Sequence, residues 1–191
     1  MDFKKTAIDG LVIIEPTLFK DDRGYFMESF KLESVNKIIG SKIKFIQDNE
    51  SMTAKNVLRG LHFQVPPFAQ SKLVRVVSGS IIDIAVDVRK GSPTFCKYVS
   101  IELSDKNKKQ LFIPRGFAHG FLALEDNTIV TYKVDNYYSK IHDSGIKFDD
   151  NSININWGDK SKFILSKKDA SLKNLNDIDI SFFHYNLDLY E

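Results

Sequence analysis

Residues 56–64 read NVLRGLHFQ, and most of this stretch has the apolar and glycine content of a buried β-strand. Alternate residues of a strand share one face, so His62 lies on the same side as Leu58 and Gly60. The pattern therefore points a histidine into the protein. Strict alternation would turn Arg59 to the opposite face, but a bulge at Gly60 would allow both basic side chains to reach one site.

Strand-like stretches of the same kind recur along the chain, separated by turn signals such as DDRG, SGS, GSPT and SDKN. Besides residues 57–64, they cover 11–16, 24–30, 43–49, 72–79, 80–88, 97–104, 110–116, 119–124 and 128–134. This spacing predicts an all-β sandwich, jelly roll or barrel. A short peripheral helix is predicted at 32–39, with Gly40 in the position of a C-terminal cap.

Length and composition are typical of a folded domain of ordinary size. The 191 residues suit one domain, 1–191, with a core of about residues 6–170 and a less readable C-terminal tail. A formal net charge of +2 argues against a general nucleic-acid binder. No stretch resembles a signal peptide or a membrane span, and the single cysteine, Cys96, cannot form an internal disulfide. We therefore expect a cytoplasmic protein that binds neither nucleic acid nor membrane.

Several polar side chains fall where the strand pattern predicts the interior. Lys72 alternates with valines along its strand, and so does Tyr132. Taken singly, His62 or His119 could be a hydrogen-bonded core histidine, Tyr132 a packing residue and Lys72 a side chain that extends to a rim. Burying several such groups together costs free energy unless they are hydrogen-bonded or line a wet cavity. Their co-occurrence favours a ligand cavity in the mouth of a barrel.

Two other chemistries are less well supported by the residues. A metal-binding barrel usually offers two histidines on one strand face, but the chain has four histidines and no H-x-H pair. A two-histidine site from His62 and His119 remains conceivable. Cys96 follows a turn with no histidine nearby in sequence, which favours an inert thiol over a nucleophile. There is no glycine-rich phosphate loop.

Long, ordered motifs show that the chain resembles the dTDP-4-dehydrorhamnose 3,5-epimerase family from about residue 6 to about residue 170. The motifs are LFKDDRGYFMESF, FIQDNESM, NVLRGLHFQVPPFAQSKLVRVVSGSIIDIAVDVRKGSPTF, FIPRGFAHGFLAL, YKVDNYY and LSKKD. The resemblance implies a cupin-like jelly roll (a double-stranded β-helix) that works as a homodimer with no metal or cofactor. It implies an isomerase that inverts C3 and C5 of dTDP-4-keto-6-deoxy-D-glucose in dTDP-L-rhamnose biosynthesis. The alternatives are a related nucleotide-sugar 3- or 5-epimerase or, less well supported, a metal-dependent cupin enzyme.

The resemblance also implies the roles of individual residues. His62 corresponds to the catalytic base, oriented by the carboxylate of Asp169, and Tyr132 to the acid on the opposite sugar face. Lys72 corresponds to the cation beside the substrate carbonyl. The residues implied in substrate binding are Arg23, Glu28, Gln47, Asp48, Asn49, Arg59, His119, Tyr138 (stacking on thymine), Asp143 (often a glutamate in the family) and Lys168.

Overall fold

The computed structural model describes residues 1–39 and 43–190, and over these residues the chain forms two large antiparallel sheets. The strands are β1 (Asp2–Lys5), β2 (Val12–Glu15), β3 (Phe19–Asp21), β4 (Gly24–Phe26), β5 (Gln47–Thr53), β6 (Leu58–Gln64), β7 (Lys72–Ser78), β8 (Ser80–Asp87), β9 (Tyr98–Ser104), β10 (Gln110–Ile113), β11 (Phe117–Ala123), β12 (Thr128–Val134) and β13 (Asp143–Gly145). The helices are α1 (Leu32–Ile39) and α2 (Lys167–Ala170), and two 3-10 turns cover Lys160–Lys162 and Leu175–Asp177.

One sheet has six strands in the order β1-β2-β10-β7-β12-β5, and the other has five in the order β13-β6-β11-β8-β9. The remaining two strands, β3 and β4, form a separate hairpin. These sheets confirm the predicted all-β, cupin-like jelly roll with short peripheral helices. None of the helices in the described ranges is long and apolar enough to cross a membrane.

Apolar side chains from the facing sheets fill part of the space between them. The members of this cluster include Val74, Val76, Ile81, Leu111 and Val130. They lie at alternate strand positions, as expected when one face of each sheet is buried. The outer face of the six-stranded sheet packs against α1 through a second cluster that contains Val35.

Most predicted strands agree with the structure, but three are shorter than predicted or displaced. The stretch predicted at 24–30 forms a strand only over Gly24–Phe26, and that at 110–116 only over Gln110–Ile113. The stretch predicted at 43–49 forms a strand only from Gln47, and Ile43 is instead buried in the cluster under α1. The predicted helix spans the expected residues, but its proposed cap, Gly40, lies outside the described residues. The C-terminal tail adds to the apolar packing, since Phe183 is 1% exposed and contacts Phe63 edge to face.

Candidate active site

The inward faces of the two sheets also enclose polar cavities. Two adjoining hollows, of about 400 and 290 Å³, share four lining residues: His62, Lys72, Tyr132 and Lys168. Cavities of this size suit a small-molecule ligand. Two further hollows, of about 320 and 300 Å³, do not contain His62, although the first shares Asn49, Glu50 and Tyr132 with the cavity.

A bulge in β6 brings the basic side chains of Arg59 and His62 to the same side of the strand. His119 of β11 lies opposite His62, and Phe121 lies opposite Arg59, so a step of two residues on β11 matches three on β6. Gly60 is required there, because its φ is +128° and a Cβ would lie 2.5 Å from the Cα of Gly120. Arg59 and His62 consequently line the same hollow, as the sequence predicted.

His62 is held by a carboxylate from a distant part of the chain. Its Nε2 lies 2.5 Å from Oδ1 of Asp169, which is part of the short helix α2. Ser166, the residue that caps α2, donates its hydroxyl to Oδ2 of Asp169 and accepts from the Asp169 backbone N–H. Burial raises the pKa of Asp169, but the hydrogen bonds from His62 and Ser166 outweigh it, so the pKa lies below its ordinary value. We call His62 and Asp169 the outer pair.

A second histidine and aspartate lie deeper in the cavity wall. Nε2 of His119 is 2.7 Å from Oδ1 of Asp83, on the adjacent strand β8. The other ring nitrogen, Nδ1, is 3.5 Å from Nζ of Lys72. Burial lowers the pKa of His119, which favours the neutral ring. We call His119 and Asp83 the inner pair.

Lys72 and Tyr132 come from the opposite sheet. Burial lowers the pKa of Lys72 from 10.5 to about 8, against the attraction of Asp83 and Asp143. Tyr132 pairs with Val74 in the sheet, and Nζ of Lys72 lies 6.0 Å from the centre of its ring. Burial raises the pKa of the Tyr132 hydroxyl above 10, so this group keeps its proton at neutral pH.

The wider hollow ends in a polar mouth. Oδ2 of Asp143 accepts from the Tyr138 hydroxyl at 3.0 Å and from Nζ of Lys168 at 2.5 Å. On edge strand β5, Gln47 donates to Asn49 at 2.8 Å, and both line this hollow. Tyr138 is 57% exposed, so its ring is accessible for stacking.

Three predicted binding residues lie outside these hollows. Asp48 alternates with Gln47 and Asn49, so it lies on the outer face of the sheet, 2.8 Å from Nζ of Lys133. Arg23 is exposed on the β3–β4 hairpin and pairs with Asp21, and Glu28 is exposed after that hairpin. Their contacts with a ligand stay predictions.

Two functional candidates, Asp83 behind the cavity wall and Gln64 in it, were not predicted from the sequence. Asp83 lies in the apolar run IIDIAV (81–86), where a single carboxylate on the inward face was the available signal. Gln64 is the last residue of β6 and lines the wider hollow. Its amide group holds the backbone of the two residues that flank Tyr138. It donates to the carbonyl of Tyr137 at 3.1 Å and accepts from the N–H of Ser139 at 2.6 Å.

Metal-ligating residues are not grouped within the part of the chain that the structure describes. No set of three or more histidine, cysteine, aspartate or glutamate side chains there is arranged to hold an ion. The two remaining histidines lie apart. The ring of His142 packs against Phe68, and the backbone of His184 forms an isolated β-bridge with that of Lys90.

Comparisons with known proteins find similarity along most of the chain. A family model described as dTDP-4-dehydrorhamnose 3,5-epimerase matches residues 5–177. A protein of that name from Shigella flexneri is 49% identical over 179 residues, which cover 94% of this chain and 98% of the relative. Another of that name, from Methanothermobacter thermautotrophicus, is 49% identical over 92% of this chain and 95% of its own length.

A solved structure is similar over almost the whole chain. It is the dTDP-6-deoxy-D-glucose-3,5-epimerase of Legionella pneumophila in complex with dTDP-4-keto-L-rhamnose. The two chains are 42% identical and superpose with a TM-score of 0.93, covering 98% of this chain and 99% of the other.

Proposed function

The chain belongs to the dTDP-4-dehydrorhamnose 3,5-epimerase family and is an isomerase of a dTDP-sugar, and on this premise we propose how its cavity inverts C3 and C5 of dTDP-4-keto-6-deoxy-D-glucose. The observation that carries the proposal is the placement of His62 and Tyr132. They stand on facing sheets and line one cavity, together with Lys72. A base and an acid on opposite walls are what inversion at a carbon requires.

The substrate ketone at C4 makes the protons on C3 and C5 acidic. Removing either proton gives an enolate whose negative charge collects on the C4 oxygen. In the proposed site the Lys72 ammonium stabilises that charge more than it stabilises the neutral ketone. One fixed donor of this kind is worth about 3–4 kcal/mol of transition-state stabilisation.

His62 is the proposed base. Nε2–H of His62 donates a hydrogen bond to Asp169. The neutral imidazole therefore keeps its lone pair on Nδ1, which takes the substrate proton. The carboxylate then stabilises the imidazolium that forms. Because the His62 side chain is 29% exposed, it can also exchange the captured proton with water.

Tyr132 is the proposed acid. Its hydroxyl is protonated at neutral pH, and it approaches the sugar from the six-stranded sheet while His62 approaches from the five-stranded one. A proton taken from one face and returned to the other changes the configuration at that carbon. Return from the His62 side would restore the starting sugar.

The polar mouth of the wider hollow is the proposed nucleotide end. Tyr138 offers an exposed ring for the thymine there. Arg59 lines the adjoining smaller hollow and offers a guanidinium for the diphosphate, which it can bind with two parallel hydrogen bonds. Lys168 adds a second cation, and Gln47 and Asn49 add amides. The proposed mechanism uses no metal and no cofactor.

We also propose that two copies of the chain form a homodimer in the cytoplasm. The β3–β4 hairpin exposes three aromatic rings: Phe19 (61% exposed), Tyr25 (52%) and Phe26 (70%). Exposed aromatic groups of this kind are typical of protein–protein contacts. A dimer would allow the hairpin to bring Arg23, and Glu28 behind it, to the cavity of the other copy.

Solvent deuterium labelling tests the reaction. The protein is incubated with dTDP-4-keto-6-deoxy-D-glucose in deuterated water, and label and configuration at C3 and C5 are followed separately by proton NMR. Label and inversion at both carbons are expected. Inversion at one carbon would identify a 3- or 5-epimerase instead, and a sugar unchanged at both would contradict the proposal.

Complementation between variants tests the dimer. Arg23→Ala and His62→Ala are each expected to be defective alone. Subunit exchange between them creates dimers with one intact cavity, so an equimolar mixture should recover about a quarter of wild-type activity. A mixture no better than its components, or a fully active monomer by light scattering, would contradict the shared site.

A further inference from the structure

Asp83 is a buried carboxylate in an apolar stretch. It is fully buried, and its neighbours on the inward face of β8, Ile81 and Ala85, belong to the apolar core. Its Oδ1 accepts from His119, but its Oδ2 is buried and has no hydrogen-bond partner within residues 1–39 and 43–190. An unpaired buried oxygen of this kind costs free energy, so it calls for a functional explanation.

The bonds around His119 define its tautomer. An ammonium group can only donate, so the contact of Lys72 with Nδ1 requires a lone pair on that nitrogen. The proton of the neutral ring is then on Nε2, where it is donated to Asp83. Lys72, His119 and Asp83 thus form a chain in which each bond has one orientation.

We propose that Asp83 is a positioning residue for the epimerisation: acting through His119, it holds the Lys72 ammonium in place and keeps it charged for the enolate. This inference rests on the function proposed above and assigns Asp83 no contact with the sugar. The same geometry leaves His119 neutral, as an orienting link between the two charged groups.

The charges around Lys72 support this role. The titratable and charged groups that line its cavity or lie behind its wall are Asp83, His119, His62, Asp169, Tyr132, Tyr138, Arg59, Glu50, Asp143 and Lys168. Asp143 already accepts bonds from Lys168 and Tyr138, and Asp169 from His62. Burial drives the pKa of Lys72 down to about 8, and Asp83 is the strongest group opposing that fall.

A purely structural role predicts something different. A buried histidine–aspartate bond between β8 and β11 could serve only to stabilise the sheet. Its loss would then lower the melting temperature without altering how the reaction depends on pH. The two roles therefore separate in a pH profile.

The test is Asp83→Asn, which keeps the shape of the side chain and removes its charge. We expect kcat to fall at least tenfold with little change in KM, and the alkaline limb of the kcat profile to move about one pH unit lower. Direct NMR titration of Lys72 in isotopically labelled protein should show the same displacement of its pKa. This titration needs no turnover, so it tests the inference even if the wild-type protein fails to epimerise.

Asp87→Asn is the matched control. Asp87 is also fully buried on β8, but it binds Arg89, Ser92 and Thr94 instead of the inner pair. We expect it to lower the melting temperature while the alkaline limb stays in place. An unchanged limb and an unchanged Lys72 titration in Asp83→Asn, or an equal displacement in Asp87→Asn, would overturn the proposal.

If Asp83→Asn does not fold, two variants of His119 replace it. The amide of Gln can accept from Lys72 and donate to Asp83, whereas Leu can do neither. His119→Gln should retain at least tenfold more kcat than His119→Leu. Equal kcat in the two variants would overturn the proposed chain.

Discussion

The outer and inner pairs have nearly the same geometry but different surroundings. In each, Nε2 of a histidine meets Oδ1 of an aspartate, at 2.5 Å in the outer pair and 2.7 Å in the inner one. Their histidines even lie opposite each other on β6 and β11. The His62 side chain is 29% exposed and opens to the cavity, whereas that of His119 is 8% exposed and faces Lys72.

This difference teaches that access and neighbouring charge, and not the bond itself, decide what such a pair does. In the outer pair, Nδ1 of His62 has no hydrogen-bond partner within residues 1–39 and 43–190, and the side chain is partly exposed to solvent, so it can take and exchange a proton. The inner pair has both nitrogens engaged, so it can only orient and stabilise its neighbours. Substitutions in each pair should therefore have distinct signatures.

The largest effect is expected for His62→Ala, which removes the proposed base of the outer pair. Turnover should fall by about 10²–10⁴-fold, and proton exchange at C3 and C5 should fall with it. His184→Ala, remote from the cavity, serves as the control and should exchange normally. Normal exchange at both carbons in His62→Ala would remove the outer pair from the chemistry.

The next effect is expected for Lys72→Met, which removes the cation that we propose the inner pair positions. Loss of one preorganised donor costs about 10²–10³-fold in kcat. In the wild-type protein, kcat should decline as pH rises through about 8, because Lys72 then loses its proton. That alkaline limb should be absent from the residual activity of Lys72→Met, and its persistence would assign the limb to another group.

A smaller loss is expected for Asp169→Asn, which leaves the His62 ring in place without its carboxylate. At metal-binding histidines, removing the group that orients the ring costs about 10–100-fold in activity, and we expect a loss of that order here because the His62 ring stays in place. Exchange and inversion should decline together, since both depend on proton removal. If Asp169→Asn instead displaced the alkaline limb of kcat as Asp83→Asn is expected to do, and left proton exchange intact, the two pairs would not have the distinct roles proposed here.

The smallest effect is expected from a chelator. His62 and His119 are neighbours across two strands, so a metal bridging them would be a competing account of both pairs. Dialysis against a chelator should leave turnover unchanged. Full loss, restored by one specific metal ion, would favour the metal-dependent alternative.

Much of the fold could be predicted because alternation and turns encode it locally. The conflict between Arg59 and His62 even located the bulge at Gly60. Strand β13 was missed because three residues, Asp143–Gly145, are too few to show a period. The start of β5 was misplaced because its sequence, QDNESMT, is polar and lies at a sheet edge.

The site could be predicted only in part from the pattern of residues. Inward positions for His62, Lys72 and Tyr132 follow from strand alternation. The pairing of His62 with Asp169 joins residues 107 positions apart, so no local pattern contains it, and only the family resemblance suggested it. Asp83 could not be predicted as a site residue because its proposed role depends on a hydrogen bond with His119, which lies on another strand.

The central claim, that proton removal and proton return come from opposite walls, is tested most directly by Tyr132→Phe. The variant is incubated with dTDP-4-keto-6-deoxy-D-glucose in deuterated water, and proton NMR compares label uptake with configuration at C3 and C5. His62 can still take a proton, exchange it with water and return it, so deuterium should enter with configuration largely retained. Inversion at one or both carbons should fall by about 10²–10⁴-fold relative to exchange. Wild-type inversion at both carbons would show that Tyr132 is not the acid and would contradict the account.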